Sequence, residues 1–293
     1  MNKFLFIFTL LAMLYSCNKT TTPGVDNPFF SEFKTENGVP PFDSIKSGHY
    51  IPAFEEGMKR QAAEIDSIVN NQDKPTFENT LVALDESGRM LTTVSSVFFA
   101  LKSAESDSTM QAIANEITPK LTEHEDNINL NEKLFARIKV VHDDTTRTDL
   151  NEEQKRLIDK YYKSFVRSGI LLDGSKQDRL REINKELGIL TLKFGDNLLK
   201  ETDNFLLVVD KKEDLTGLPE DIITAAAKTA KDKGHDGKWI FTLSKTSWVP
   251  FLQYADNRDL REKLYKAMYN RCDNDNEFDN KPVITKIVNL RLE

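Results

Sequence analysis

At 293 residues the chain is long enough to bury one large core or two smaller ones, so it is not a small stapled fold. Its 47 acidic residues outnumber its 40 basic ones, giving a formal net charge of -7; this argues against the clustered cationic surface that a nucleic-acid backbone demands, and no nucleic-acid partner is expected. Two cysteines, Cys17 and Cys272, are too few for a disulfide framework, and no structural disulfide is expected.

The chain opens with MNKFLFIFTLLAMLYSC: a cationic start at Lys3, an apolar run from Phe4 to Tyr15, then Ser16 and Cys17. That run is shorter than the roughly 20 apolar residues a bilayer-spanning helix requires, so residues 1–16 read as a secretory signal. Leu14-Tyr15-Ser16-Cys17 resembles a bacterial lipoprotein cleavage box, in which the cysteine thiol is acylated and becomes the new N-terminus; the other reading is an ordinary signal with a chance cysteine. Residues 17–28 carry Pro23, Gly24 and Pro28 without apolar periodicity, as expected of a flexible tether. The expected location is an exported protein held by lipid on Cys17 at a bacterial membrane, on its periplasmic side or at the cell surface.

From residue 29 to 293 the dominant signal is helical period. Ile51, Phe54, Met58, Ile65 and Ile68 share one helical face, as do Leu81, Leu84, Leu91, Val94, Phe98 and Leu101. Asp107 to about Val140 continues the pattern, with Pro119 expected to kink or break it. Two further helices are predicted over Asn151–Ser168 and Ser175–Lys200, the first stopped by Gly169. The pattern changes once: about 203–209 and 238–243 are short apolar runs bounded by turn residues, candidate strands that could pair across a helix from Pro219 to Lys233. Asn257 then caps a helix carrying Leu260, Leu264 and Met268, and Pro282 opens another that runs to the end. The fold class expected is mainly α: long antiparallel amphipathic helices with one small β element. The final KPVITKIVNLRLE ends at Glu293 inside an amphipathic pattern, with no capping Gly or Asn and no following Pro to satisfy its last carbonyls, which is expected of a helix whose chain continues.

His124-Glu125-Asp126-Asn127-Ile128 comes close to a zinc-protease motif. Histidines at i and i+4 on one helical face bind one Zn²⁺ while the adjacent glutamate polarises its water, but here the fifth position is Ile128. A half-buried or solvated histidine beside a charged glutamate is the expected state. His49, His142 and His235 are isolated, each in a turn-like setting, and no metal ligand set or catalytic group is identified. There is no phosphate-binding glycine loop and no nucleophile elbow. Cys272 is expected to be a small helix residue and not a nucleophile. The densest charge cluster, residues 257–262, adjoins Trp248, Phe251, Tyr254, Tyr265 and Tyr269. Either it is a capped helix start with locally paired arginines, or Tyr254, Arg258 and Arg261 line a peptide-binding wall.

Several strings together go beyond generic helices: FENTL at 77–81, SFVRSG at 164–169, KWIFTL at 238–243 and YADNRDLRE at 254–262. With NPFFSEFKTENGVPPFDSIKSGHYIPAFEEGM and LREINKELGILTLKFGDNLL, they resemble the N-terminal half of the peptidyl-dipeptidase branch of the thimet oligopeptidase and oligopeptidase A family of zinc metallopeptidases. The resemblance runs from about Asn27 to Glu293. It implies the N-terminal part of a channel-bearing helical enzyme that cuts short peptides, releasing C-terminal dipeptides. The channel would admit extended peptides and exclude folded proteins. It also implies that zinc and the HExxH helix belong to a C-terminal half with no counterpart here, so this chain alone is expected to be inactive and to bind no zinc. Two rivals remain: a non-catalytic lipid-anchored helical scaffold for peptides or partners, and a separate polypeptide that supplies the zinc half.

Overall fold

The computed structural model describes residues 27–104, 106–144 and 150–293. The signal, Cys17 and most of the tether lie outside the described residues; Asn27 and Pro28, at the expected tether's end, already belong to the fold. The chain is mainly α-helical. In order the elements are α1 (Tyr50–Val69), α2 (Ala83–Glu86), α3 (Arg89–Ala104), α4 (Ser108–Asn129), α5 (Glu132–Asp143), α6 (Glu152–Arg167), α7 (Gly174–Asn204), β1 (Leu207–Val209), α8 (Glu220–Asp232), β2 (Trp239–Phe241), α9 (Lys245–Tyr254), α10 (Arg258–Tyr269) and α11 (Lys281–Leu292). The chain divides into two compact units, one up to Ile113 with Lys133–Tyr162, the other Ala114–Glu132 with Lys163–Glu293.

In the first unit α1 and α3 pack face to face. Gly57 permits the approach, since a Cβ there would stand 3.0 Å from the Cα of Leu91. Phe54 and Phe98 are fully buried and meet edge to face with centroids 5.5 Å apart, with Tyr50 5.0 Å from Phe98. Burying each ring contributes about 2 kcal/mol. The entry to α1 is fixed by Asn27, whose side chain accepts from the Phe29 N–H at 3.1 Å and donates to the His49 carbonyl at 2.8 Å.

The FENTL string explains itself in this unit. Residues Phe77–Val82 form a π-helical turn ahead of α2. Thr76 and Asn79 cap it reciprocally, the Thr76 Oγ1 accepting from the Asn79 N–H at 3.1 Å and Asn79 Oδ1 from the Thr76 N–H at 2.8 Å. Phe77, Thr80 and Leu81 are buried in the core. Arg137 of α5, buried to 8% exposure, closes the arrangement: its guanidinium donates to the carbonyls of Asn71 at 2.8 Å and Asp73 at 3.3 Å and to Asn79 Oδ1 at 3.0 Å.

In the second unit β1 and β2 pair antiparallel, Val208 opposite Ile240, and α8 covers them. Leu207, Val209, Phe241, Leu243, Phe251 and Leu264 form the core below, with the Phe241 and Phe251 rings 4.4 Å apart. The strands are shorter than expected because α7 continues through Asn204, so residues 203 and 204 are helical and only 207–209 pair. A second cluster joins Ile183, Leu187 and Leu190 of α7 to Val283, Ile287 and Leu290 of α11.

The helix ends follow local signals, with one exception. Pro119 lies inside an uninterrupted α4; the expected break comes instead at 130–131, where the Leu130 N–H reaches back to Asp126 and α5 starts afresh. Gly169, at φ +90°, stops α6 as expected: the Ile170 N–H bonds the Phe165 carbonyl at 3.3 Å and the Gly169 N–H the Val166 carbonyl at 3.1 Å, a Schellman turn. Asn257 caps α10, accepting from the Leu260 N–H at 3.1 Å, and Pro282 stands in the first turn of α11.

Replacing Arg137 by methionine removes this donor from the Asn71 and Asp73 carbonyls, while Asn79 Oδ1 keeps the Thr76 N–H, and should lower unfolding free energy by about 2–3 kcal/mol. Removing the exposed Arg60–Glu56 pair by Arg60→Ala should change it by less than about 0.5 kcal/mol. Urea denaturation of the two variants, side by side, checks the contrast.

Candidate functional site

The HEDNI stretch lies in the C-terminal half of α4. His124 is half-buried, and burial pushes its imidazole below the usual range; Glu125 is exposed and Ile128 half-buried. The zinc donor set therefore does not fit here, because the position that would need a second imidazole carries a hydrocarbon. Among the described residues no group of three His, Cys, Asp or Glu side chains is placed to hold a metal ion.

The remaining histidines have local tasks. His49 Nδ1 accepts from the Lys46 N–H at 3.0 Å. His142 is not in a turn but in the last turn of α5, stacked on Tyr162 at 3.9 Å between centroids with Nδ1 2.9 Å from Asp143. His235 ends the α8 turn, its N–H bonded to the Ala230 carbonyl at 2.8 Å.

Two clefts of the second unit bring charged side chains together. The first, a cavity of about 420 Å³, lies among α4, the end of α6 and α7. Asp126, 6% exposed, reaches it from α4; Asn184 of α7 donates to its Oδ1 at 2.7 Å. Burial raises the Asp126 carboxyl, while the Asn184 amide and the Arg181 charge oppose the rise.

The second cleft, about 460 Å³, is lined by Leu252, Arg258, Arg261, Glu262, Tyr265 and Lys266. Arg261 is fixed from behind, its guanidinium donating to the Ala255 carbonyl and, at 3.2 Å, to that of Asp256. Glu262 is engaged by Lys266 at 2.7 Å and only distantly by Arg258 at 3.8 Å. Arg258 and Arg261 line this one cleft, at a helix start that Asn257 caps. Tyr254 is exposed but does not line this cleft; Tyr265, one turn beyond Arg261, does. The spacing of four along α10 could have revealed it.

A polar knot anchors the loop between α10 and α11. Glu201 of α7, 9% exposed, accepts from Asn274 Nδ2 at 2.8 Å, Asn276 Nδ2 at 2.7 Å and the Cys272 N–H. Burial alone would raise its carboxyl, yet these three donors prevail and hold it below the ordinary value. Cys272 is not a helix residue: it sits in the loop at φ +61°, buried, with its thiol pushed up to about 11 by burial and by the Glu201 carboxylate. Such a thiol is protonated at neutral pH and a poor nucleophile.

No protein-family model matches the chain. Individual relatives do. Dipeptidyl carboxypeptidase of Escherichia coli is 35% identical over 267 residues, which is 91% of this chain and 39% of that protein. The chain is related to the dipeptidyl carboxypeptidases and oligopeptidase A. Oligopeptidase A of Salmonella typhimurium is 29% identical over 271 residues, covering 91% of the chain and 39% of the relative; organellar oligopeptidase A of Arabidopsis thaliana is 29% identical over 273 residues, covering 91% and 34%. The chain thus spans between about a third and two fifths of the length of these relatives.

The strings that carried the resemblance to these oligopeptidases hold structural posts. FENTL builds the π turn, SFVRSG the Schellman turn and YADNRDLRE a cap; the last also crosses Gly217, where a Cβ would stand 2.2 Å from the Tyr254 carbonyl oxygen.

Because Glu201 is held below its unfolded value of about 4.3, its stabilising effect is complete above that pH and disappears as pH falls through the folded-state value. Glu201→Gln should cost about 1–2 kcal/mol at pH 7, and the difference from the parent should shrink on acidification below about pH 4. Thermal denaturation of both proteins between about pH 3 and 7 tests it; a pH-independent difference would remove the carboxylate from this role.

Proposed function

We propose that the chain is the N-terminal, substrate-selecting part of a peptidyl-dipeptidase, an enzyme that takes dipeptides from the C-termini of short peptides. The observation that carries the reading is the match over 91% of the chain to a protein named dipeptidyl carboxypeptidase, of which that match is 39%. The groups that cleave the bond, and zinc if the complete enzyme uses it, would belong to sequence beyond these 293 residues, since His124 and Glu125 lack a second imidazole at the fifth position. The cationic cleft of Arg258, Arg261 and Tyr265 is the wall this reading assigns to the peptide: two guanidinium groups for its carboxylates, an exposed ring and Leu252 for its side chains.

The purified 293-residue chain should not hydrolyse a quenched fluorescent hexapeptide, with or without added zinc, yet should bind it saturably. Arg258→Ala with Tyr265→Ala should weaken that binding about tenfold, roughly 1.4 kcal/mol. Metal-stimulated hydrolysis would overturn the division of labour, and undiminished binding by the double variant would remove the cleft from the wall.

Export and anchoring complete the proposal. The apolar run Phe4–Tyr15 followed by Ser16 and Cys17 supports acylation of Cys17 and residence at a bacterial membrane surface. Expressed with its leader in a bacterium, the protein should incorporate labelled palmitate and partition into detergent, and Cys17→Ser should do neither. Equal partitioning of the two would overturn the anchor.

A further inference from the structure

The cavity beneath the HEDN stretch has a composition that the peptidase reading does not use. An ionised carboxylate out of water is costly unless it is paired or serves a ligand. Asp126 is only 6% exposed; the Arg181 charge acts on it without a hydrogen bond, and the Asn184 amide at 2.7 Å occupies one of its two oxygens, where a carboxylate can accept several hydrogen bonds. Glu125, exposed at the same cavity, adds a second acid from the same helix. The wall formed by the end of α6 is of opposite sign, carrying the guanidinium of Arg167.

The same cavity is lined by Leu180 and Leu187, so it combines acid, apolar and basic walls. Its volume of about 420 Å³ lies within the roughly 300–1,000 Å³ of small-molecule sites. A simple cation would leave Arg167 unmatched and a simple anion would face two carboxylates. A molecule with an ammonium group at one end, a carboxylate at the other and a modest apolar body matches all three features.

We propose that this cavity binds a small zwitterion, a free α-amino acid or a dipeptide, with its ammonium group on Asp126 and Glu125 and its carboxylate on Arg167. The Schellman turn at Gly169 holds the end of α6, and with it Arg167, in a fixed position against α7; a Cβ at Gly169 would lie 2.5 Å from Leu180 Cδ2. The acid wall is equally fixed, because the Asp126–Asn184 hydrogen bond ties α4 to α7.

Calorimetric titration of the 293-residue chain with alanyl-leucine, its N-acetyl derivative, its C-terminal amide and free leucine tests the assignment. Saturable binding of the dipeptide is expected, weakened at least about tenfold by acetylation and similarly by amidation, as loss of a charged partner implies. Asp126→Asn combined with Glu125→Gln should abolish the discrimination against the acetylated form, and Arg167→Gln that against the amide, in variants whose circular dichroism confirms the helical fold. The ratio of leucine to dipeptide affinity identifies the natural source. Absence of binding by the parent chain, equal binding of blocked and free dipeptides, or discrimination unchanged in both variants would each overturn the proposal.

Discussion

A chain built from many helices joined by short turns must find partners for the backbone groups that each helix end leaves unpaired, and it must do so where those ends are packed against a core. Here asparagine meets that constraint repeatedly. Asn27 spans the entry to α1, Asn79 the π turn, Asn257 the start of α10. Asn280, 2% exposed, donates to the Phe194 carbonyl at 3.1 Å and accepts from Asn197 at 2.9 Å, tying the α11 start to α7. An amide both donates and accepts, so one side chain can serve two orphan groups where an ionised aspartate, which only accepts, could not serve a carbonyl. Arg137 and Glu201 extend the principle with charge: each is buried by neighbours it satisfies, the first acting on carbonyls and the second on N–H groups.

Those posts explain which features of the fold were legible. Helical period located the helices because their inner faces are hydrocarbon, as in α1 and α3; Gly169, Asn257 and Pro282 marked ends because their conformational preferences act locally. What escaped depends on distant residues. Pro119 leaves α4 intact, and the turn that does end this helix comes eleven residues later, at about 130. Asp203 and Asn204 carry the turn-forming side chains expected at a strand's edge, yet both extend α7, and pairing with β2 begins only at Leu207.

The clefts were legible to different degrees. Arg258 and Arg261 stood out as a charge cluster, yet their neighbour in space, Tyr265, required the helical register of α10 to be applied to an aromatic already noted. The Asp126 cavity was hidden altogether. Its acids lie in a string that invites a metal reading, and its base and amide, Arg167 and Asn184, come from stretches dominated by turn and stripe signals. Cys272 was misplaced for a similar reason: its left-handed loop position is held by Glu201, 71 residues earlier.

The resemblance to oligopeptidases rests on residues that keep turns and caps in order, and that limits what it can carry. Residues whose work is to close a π turn or a Schellman turn specify a backbone, and a backbone can host several activities. Activity has to be argued from side chains that face open space. In the second unit two clefts of unlike character present such side chains, one dominated by cations with an exposed ring, the other divided between acid and base with an apolar lining. The first offers mainly positive charge to an occupant, and the second offers both signs. Asp126 is buried beside that second cleft on polar contacts, the Asn184 amide at 2.7 Å and the Arg181 charge, and a leucine there would spare the desolvation of a carboxylate but leave the Asn184 amide without its acceptor, so the carboxylate serves the α4–α7 contact as well as facing the cleft.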